Sequence, residues 1–135
     1  MWYAILPLVG WFVSGVTKFL INTIRFGREE GKKRAGNGGF PSTHTTTVTS
    51  PVAYIGWMEG VNTPMFSLGV AFLMITIIDA TGIRRAIGEH AKRINQQNPD
   101  TGMALLRESQ GHTRIEVLGG LVLGILIGYA AYLLS

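Results

Sequence analysis

The chain has no cysteine among its 135 residues. That excludes a disulfide framework and any thiolate metal site. Charge is missing from both ends. MWYAILPLVGWFVSGVTKFLINTI carries one charged residue, Lys18, and VLGGLVLGILIGYAAYLLS carries none. About 20 mostly apolar residues are enough for a helix to cross a bilayer, and both segments qualify. The first has neither a positive leader nor a small-residue cleavage site followed by a soluble domain, so it reads as an anchor and not as a cleaved signal. A length of 135 residues allows one domain, residues 1–135.

Two further apolar segments lie between these. One runs from about His44 to Met58, polar at its start and with Pro51 inside. The other runs from about Pro64 to Gly82 and is interrupted only by Asp79. Backbone groups in lipid must be satisfied within the segment, so both are expected to be helical. The threonines and serine of the shorter one suit a helix facing the interior of a bundle. The expectation is an all-α, polytopic membrane bundle of about four transmembrane helices.

Eleven of the 12 Lys and Arg fall in two stretches. Arg25, Arg28, Lys32, Lys33 and Arg34 lie between the first two segments. Arg84, Arg85, Lys92, Arg93, Arg107 and Arg114 lie between the last two. EGVNTP, after Met58, has none. With four spans both basic connections share one side, and the positive-inside rule makes that side cytoplasmic. Such charges serve topology and contact with anionic lipid; no nucleic-acid partner is expected. In GIRRAIGEHAKRINQQNPD, residues Ile83, Ile87, Ala91 and Ile94 recur at helical spacing. The third helix is expected to continue beyond the membrane, or a separate amphipathic helix to lie on its cytoplasmic surface. Asn98-Pro99-Asp100 reads as a turn. Gly120, Gly124 and Gly128 make a small-residue face on the last helix. That face lets another helix approach closely, and a homodimer is one use for it.

Chemistry points to the histidines. His44 and His112 each open a membrane helix on the basic side, where free N–H groups and the helix dipole favour an anion. GGFPSTHTTT (38–47) sets small, donor-rich residues before His44. In GHTRIEV, Glu116 follows His112 by four residues and shares its helical face. A carboxylate on one imidazole nitrogen fixes the tautomer and leaves the other nitrogen basic. The same residues have plainer uses. Ser42 or Thr43 is a good N-cap, His–Glu at this spacing is a common surface contact, and His90 has no expected role. Asp79 is costly in a membrane helix unless paired, and Arg84, Arg85 and Lys18 are its candidate partners.

PSTH resembles the PSGH motif of the type 2 phosphatidic acid phosphatase (PAP2) superfamily, which includes the vanadium haloperoxidases. His112, Glu116 and the small-residue helix after them resemble that superfamily's closing motif. More closely, GGFPSTHTTTVTS, DATGIRRAIGEHAKRIN and GHTRIEVLGGLVLGI resemble its divergent branch in order and spacing. The resemblance implies a prokaryotic cytoplasmic-membrane protein acting on a lipid phosphate or diphosphate through a phosphohistidine, with no metal or other cofactor. It implies His112 as nucleophile, Glu116 as its orienter and His44 as acid. Ser42, the Thr43 N–H, Lys18, Arg25, Arg84, Arg85 and Arg107 are the implied phosphate contacts.

The sequence departs from the superfamily at named positions. Lys18 and Arg25 have the spacing of its first motif, but Phe26 stands where proline is usual. Leu106 occupies the closing motif's arginine position, with Arg107 one residue late. Glu116 replaces an aspartate, and Thr43 the glycine of PSGH. Four spans are fewer than the usual six. These departures keep a second reading open, a phospholipid head-group binder or scaffold without turnover. A transporter would need a polar path to the far face, which is almost devoid of polar groups. A haloperoxidase has no support in the residues.

Overall fold

The computed structural model describes residues 2–29, 39–97 and 105–135. Lys32, Lys33, Arg34, Gly38 and the Asn98-Pro99-Asp100 turn lie outside the described residues. Among the described residues the main α-helices are, in order, α1 (Leu6–Phe26), α2 (Thr43–Met58), α3 (Pro64–Ile78), α4 (Arg84–Gln97) and α5 (Arg114–Leu133). A π-helical turn, Asp79–Ile83, joins α3 to α4 without a break. Among the described residues there is no strand.

Among the described residues three stretches are long and apolar enough to cross a membrane: Leu6–Phe26, the continuous Pro64–Gln97, and Arg114–Leu133. The bundle is a helical membrane bundle, and α2 is its centre. At 16 residues α2 spans about 24 Å, at 1.5 Å per residue, less than the ~30 Å hydrocarbon layer. It packs against α1, α3 and α5. Ser42 caps it, accepting from the Thr45 N–H, and Thr46 and Thr47 hydroxyls donate to carbonyls one turn back. Thr46 and Thr47 thus satisfy their hydroxyls locally, whereas the buried Thr49 hydroxyl has no hydrogen-bond partner.

Polar and apolar residues are distributed inside-out relative to a soluble protein. The buried residues of α1 are Leu6, Gly10, Ser14, Lys18 and Asn22, each four apart. Those of α2 include Thr45, Thr46, Thr49 and Ser50. Leu8, Phe12, Leu68, Phe72, Ile115 and Leu126 point outward. In lipid the apolar exterior is solvated, and association rests on close packing and internal hydrogen bonds. Ser50 donates to the Leu6 carbonyl, and the Ser14 hydroxyl donates to that of Thr43.

The glycine face of α5 is filled from within. A Cβ at Gly120 would sit 2.6 Å from the Ser42 carbonyl oxygen, one at Gly124 2.5 Å from Thr49 Cβ, and one at Gly128 2.6 Å from the Ser50 carbonyl oxygen. This face therefore does not serve a second copy of the chain, as the sequence alone allowed: α2 of the same chain occupies it. Because α2 and α5 lie side by side in parallel, their N-termini end level.

The π-turn holds the other half of the site. A π-turn shifts the helix from i→i+4 to i→i+5 bonding, and here the Arg84 N–H bonds to the Asp79 carbonyl. The neighbouring Ala80 carbonyl accepts from the His112 N–H at 2.9 Å. Gly111 lies against this turn with φ +78°, where a Cβ would be 2.7 Å from the Arg85 nitrogen and 2.8 Å from the Ala80 oxygen. Beyond it α4 acts as a rail for residues 105–111. Asn95 bonds the Leu106 N–H and carbonyl as a neighbouring strand would, and also reaches Glu108. Gly88 leaves room for the Glu108 carbonyl. The third helix does continue past the apolar stretch, and this extension supports the connection to α5. Ile83, Ile87 and Ile94 stay exposed on it, while Ala91 is buried.

Three substitutions test this packing. Gly124→Val should lower stability in detergent by about 1–3 kcal/mol through overpacking. Gly15→Ala, where a Cβ meets nothing within 4 Å, should be neutral or stabilising by up to about 1 kcal/mol. Gly111→Ala combines a left-handed φ with a clash against backbone and should cost at least ~1 kcal/mol. Thermal unfolding of the three purified variants reads all of these.

Candidate functional site

A cavity of about 710 Å³ opens where the N-termini of α2 and α5 meet the π-turn. Its size is within the range of small-molecule sites. Lys18 reaches it from α1, Thr43 and His44 from the first turn of α2, Asp79 and Arg84 from the π-turn and the start of α4, and Arg107 and His112 from the connection. Glu116 stands behind His112.

The His112 ring is 7% exposed, and its Nδ1 is 3.0 Å from Glu116 Oε2. The same carboxylate oxygen accepts from the Thr113 N–H at 2.9 Å, while the Thr113 hydroxyl accepts from the Glu116 N–H. This is a capping box: Thr113 and Glu116 satisfy the first donors of α5 reciprocally. The helix cap and the orienting role of Glu116 are therefore one arrangement. The longer arm of glutamate over aspartate lets one oxygen serve both the cap and the imidazole. Burial pushes the His112 imidazole below its ordinary range. The bond to Glu116 pulls it back up, and the charge of Lys18 pushes it down again. The net effect favours the neutral ring. With the Nδ1 proton on Glu116, Nε2 keeps its lone pair.

The His44 ring lies 6.3 Å from that of His112, centroid to centroid. Thr43 and His44 occupy the first turn of α2, where N–H groups precede the intrahelical ladder. Lys18 is buried, at 5% exposure. The Arg84 Nε donates to Asp79 Oδ2 at 2.5 Å, so Asp79 has an ion-pair partner and fixes where that guanidinium sits.

Three of the sequence candidates lie elsewhere. Ser42 is fully buried, where it caps α2 and donates its N–H to the Glu116 carbonyl. Arg85 packs its backbone and stem on Gly111. Arg25 is in the exposed last turn of α1. Several cavity residues were not candidates: Trp11, Phe72, Thr76, Ser109 and Gln110. The capping box could have been read from Thr113-x-x-Glu116. Trp11 and Phe72 carry no such signal, because an aromatic in a membrane helix looks the same facing lipid or a cleft.

The model of the Divergent PAP2 family matches residues 3–127. The chain is also similar to the uncharacterized membrane protein YuiD of Bacillus subtilis (strain 168), with 34% identity over 107 residues, covering 67% of this chain and 68% of that protein. No solved structure is significantly similar. A helical membrane bundle with its histidine motifs level, matched by the family along nearly its whole length, is a membrane protein, and the chain belongs to the Divergent PAP2 family.

Proposed function

We propose that the protein is a membrane phosphatase or phosphotransferase acting on a lipid phosphate or diphosphate from the cytoplasmic face. The observation that carries this is the His112–Glu116 pair, with His112 buried and facing His44 across a cavity that Lys18 and Arg84 also line. His112 Nε2 attacks phosphorus. An N–P bond forms, the ester or anhydride P–O bond breaks, and His44 gives its proton to the leaving oxygen. Water then takes the phosphoryl group from His112, with His44 accepting the proton. Lys18, Arg84 and the first N–H groups of α2 neutralise charge on the equatorial oxygens, so that catalysis is positioning and charge stabilisation. A catalytic site of this type needs a guanidinium close to both histidines, and Arg84 and Arg107 both line the cavity. The positive-inside rule, applied to the basic connections of the sequence, supports a cytoplasmic orientation for this end.

A second reading is favoured by one observation. Asp79 lines the cavity and neutralises Arg84, which suits a site that holds a phospholipid head group without turning it over.

Phosphate release from a panel of lipid phosphates, by protein in liposomes with EDTA present, separates the two. Wild type should release phosphate. His112→Ala should fall to background, and His44→Ala should lose about 10²–10⁴-fold, the usual contribution of general acid catalysis. Head-group binding in all three proteins without release would establish the second reading.

The pH dependence has a definite sign. His112 must be neutral to attack, and its burial lowers its pKa, so the acid limb of kcat/KM should lie below the ordinary histidine range near 6.5. Glu116→Gln removes the group that favours the imidazolium, so the limb should move to still lower pH while kcat falls. Histidine NMR titration of the two proteins checks the shift independently of turnover.

A further inference from the structure

The cavity continues beyond its charged end. α1 and α3 each pack on α2, and no packing seam joins α1 to α3 among the described residues. A cleft runs between them with α2 as its floor. Lys18, His44, Arg84 and His112 line one end; Trp11, Val48, Phe72 and Ile75 line the other. Trp11 precedes Lys18 by seven residues on α1, and Phe72 on α3 precedes Asp79 of the π-turn by seven. Both walls therefore run two turns, about 10.5 Å at 1.5 Å per residue, away from the charged end and along the bundle. Trp11 and Phe72 are 61% and 60% exposed, so the cleft opens sideways, toward lipid. Anchoring at a membrane interface would account for Trp11 alone. It does not account for Trp11 and Phe72 sharing one cavity with the buried Lys18 and the histidines.

We infer that this cleft seats one hydrocarbon chain of an amphiphilic phosphate, and that Trp11 and Phe72 are specificity-determining residues for that chain. The inference rests on the phosphate reading of the charged end. One continuous cavity with cations at one end and apolar side chains along the rest is complementary to a molecule with a phosphate at one end and a chain behind it. Only a ligand entering from the bilayer uses the lateral mouth; a free, water-soluble phosphate would leave the aromatic half of the cavity unused. The two walls reach the first part of the chain, and the remainder stays in lipid. Selection is therefore sensitive to length, bulk and branching within the first part of the chain and indifferent to length beyond the cleft.

The test is binding, not turnover. Ethyl, hexyl and octyl phosphate are titrated calorimetrically into protein in lipid nanodiscs, with empty nanodiscs subtracted to remove partitioning. Wild type should gain up to about fourfold in affinity per added methylene. Trp11→Ala and Phe72→Ala should weaken octyl phosphate by about tenfold, the worth of part of an aromatic side chain, and leave ethyl phosphate unchanged. Leu126→Ala, on α5 outside the cavity, should change neither. Phe72→Trp should narrow the cleft and weaken octyl phosphate alone; it decides the matter if a truncation fails to fold and loses ethyl phosphate as well. Ethyl phosphate binding with no gain from a longer chain, or an equal loss in Leu126→Ala, overturns the chain site and leaves the phosphate site standing. Failure of all three phosphates to bind overturns the phosphate reading and this inference with it. Chain-length dependence that survives in a protein releasing no phosphate upholds the cleft and overturns catalysis alone.

Discussion

The close approach of α2 to α5 is the contact on which the rest depends. Gly120, Gly124 and Gly128 leave no side chain between the two helices, so serine, threonine and backbone of α2 lie directly against α5. In lipid there is little hydrophobic drive to bring helices together, and van der Waals contact along such a face is the main attraction available. The contact sets register as well as proximity. Parallel helices held side by side end together, and the end they share carries His44 on one and His112 on the other. Their dipoles add at that point, and Lys18 adds a buried charge. A site for an anion thus follows from a packing preference.

The second constraint comes from the other side. The π-turn turns a carbonyl out of the α3–α4 helix to receive the His112 N–H, and α4 then guides the connection with Asn95 and Gly88. His112 is therefore fixed three times: by its backbone to the π-turn, by its ring to Glu116, and by Glu116 to the capping box. An imidazole fixed in this way needs little reorganisation to act on a ligand.

Much of this was legible in the sequence, and the parts that were not have physical causes. Apolar length and loop charge gave the helices and put both basic connections at one end, because the bilayer imposes strong and simple rules. The spacing of His112 and Glu116 suggested one helical face; the structure puts them in contact, but with His112 just before the N-cap Thr113 and outside the helix. Ser42 was ambiguous because a cap and an anion donor use the same small hydroxyl residue, and its burial decides for the cap. The glycine face marked a close contact but could not say with which helix, since composition carries no partner label. Arg84 and Arg85 are adjacent in sequence, yet one faces the cavity and the other Gly111. The local geometry of the π-turn settles that difference, and no periodicity rule anticipates it.

That turn also constrains how the gene can change. A π-turn amounts to one residue inserted into an α-helix, and each residue rotates the following helix by about 100°. Deleting any one of residues 79–83 would restore a regular and locally more favourable helix. It would also swing Gly88, Ala91 and Asn95 off the connection they support and turn Arg84 away from Asp79. The irregular turn is therefore the arrangement the rest of the chain has been fitted to. Along these five residues insertions and deletions should be rarer in evolution than substitutions, even though the stretch ends in the open, where a change of side chain would cost little.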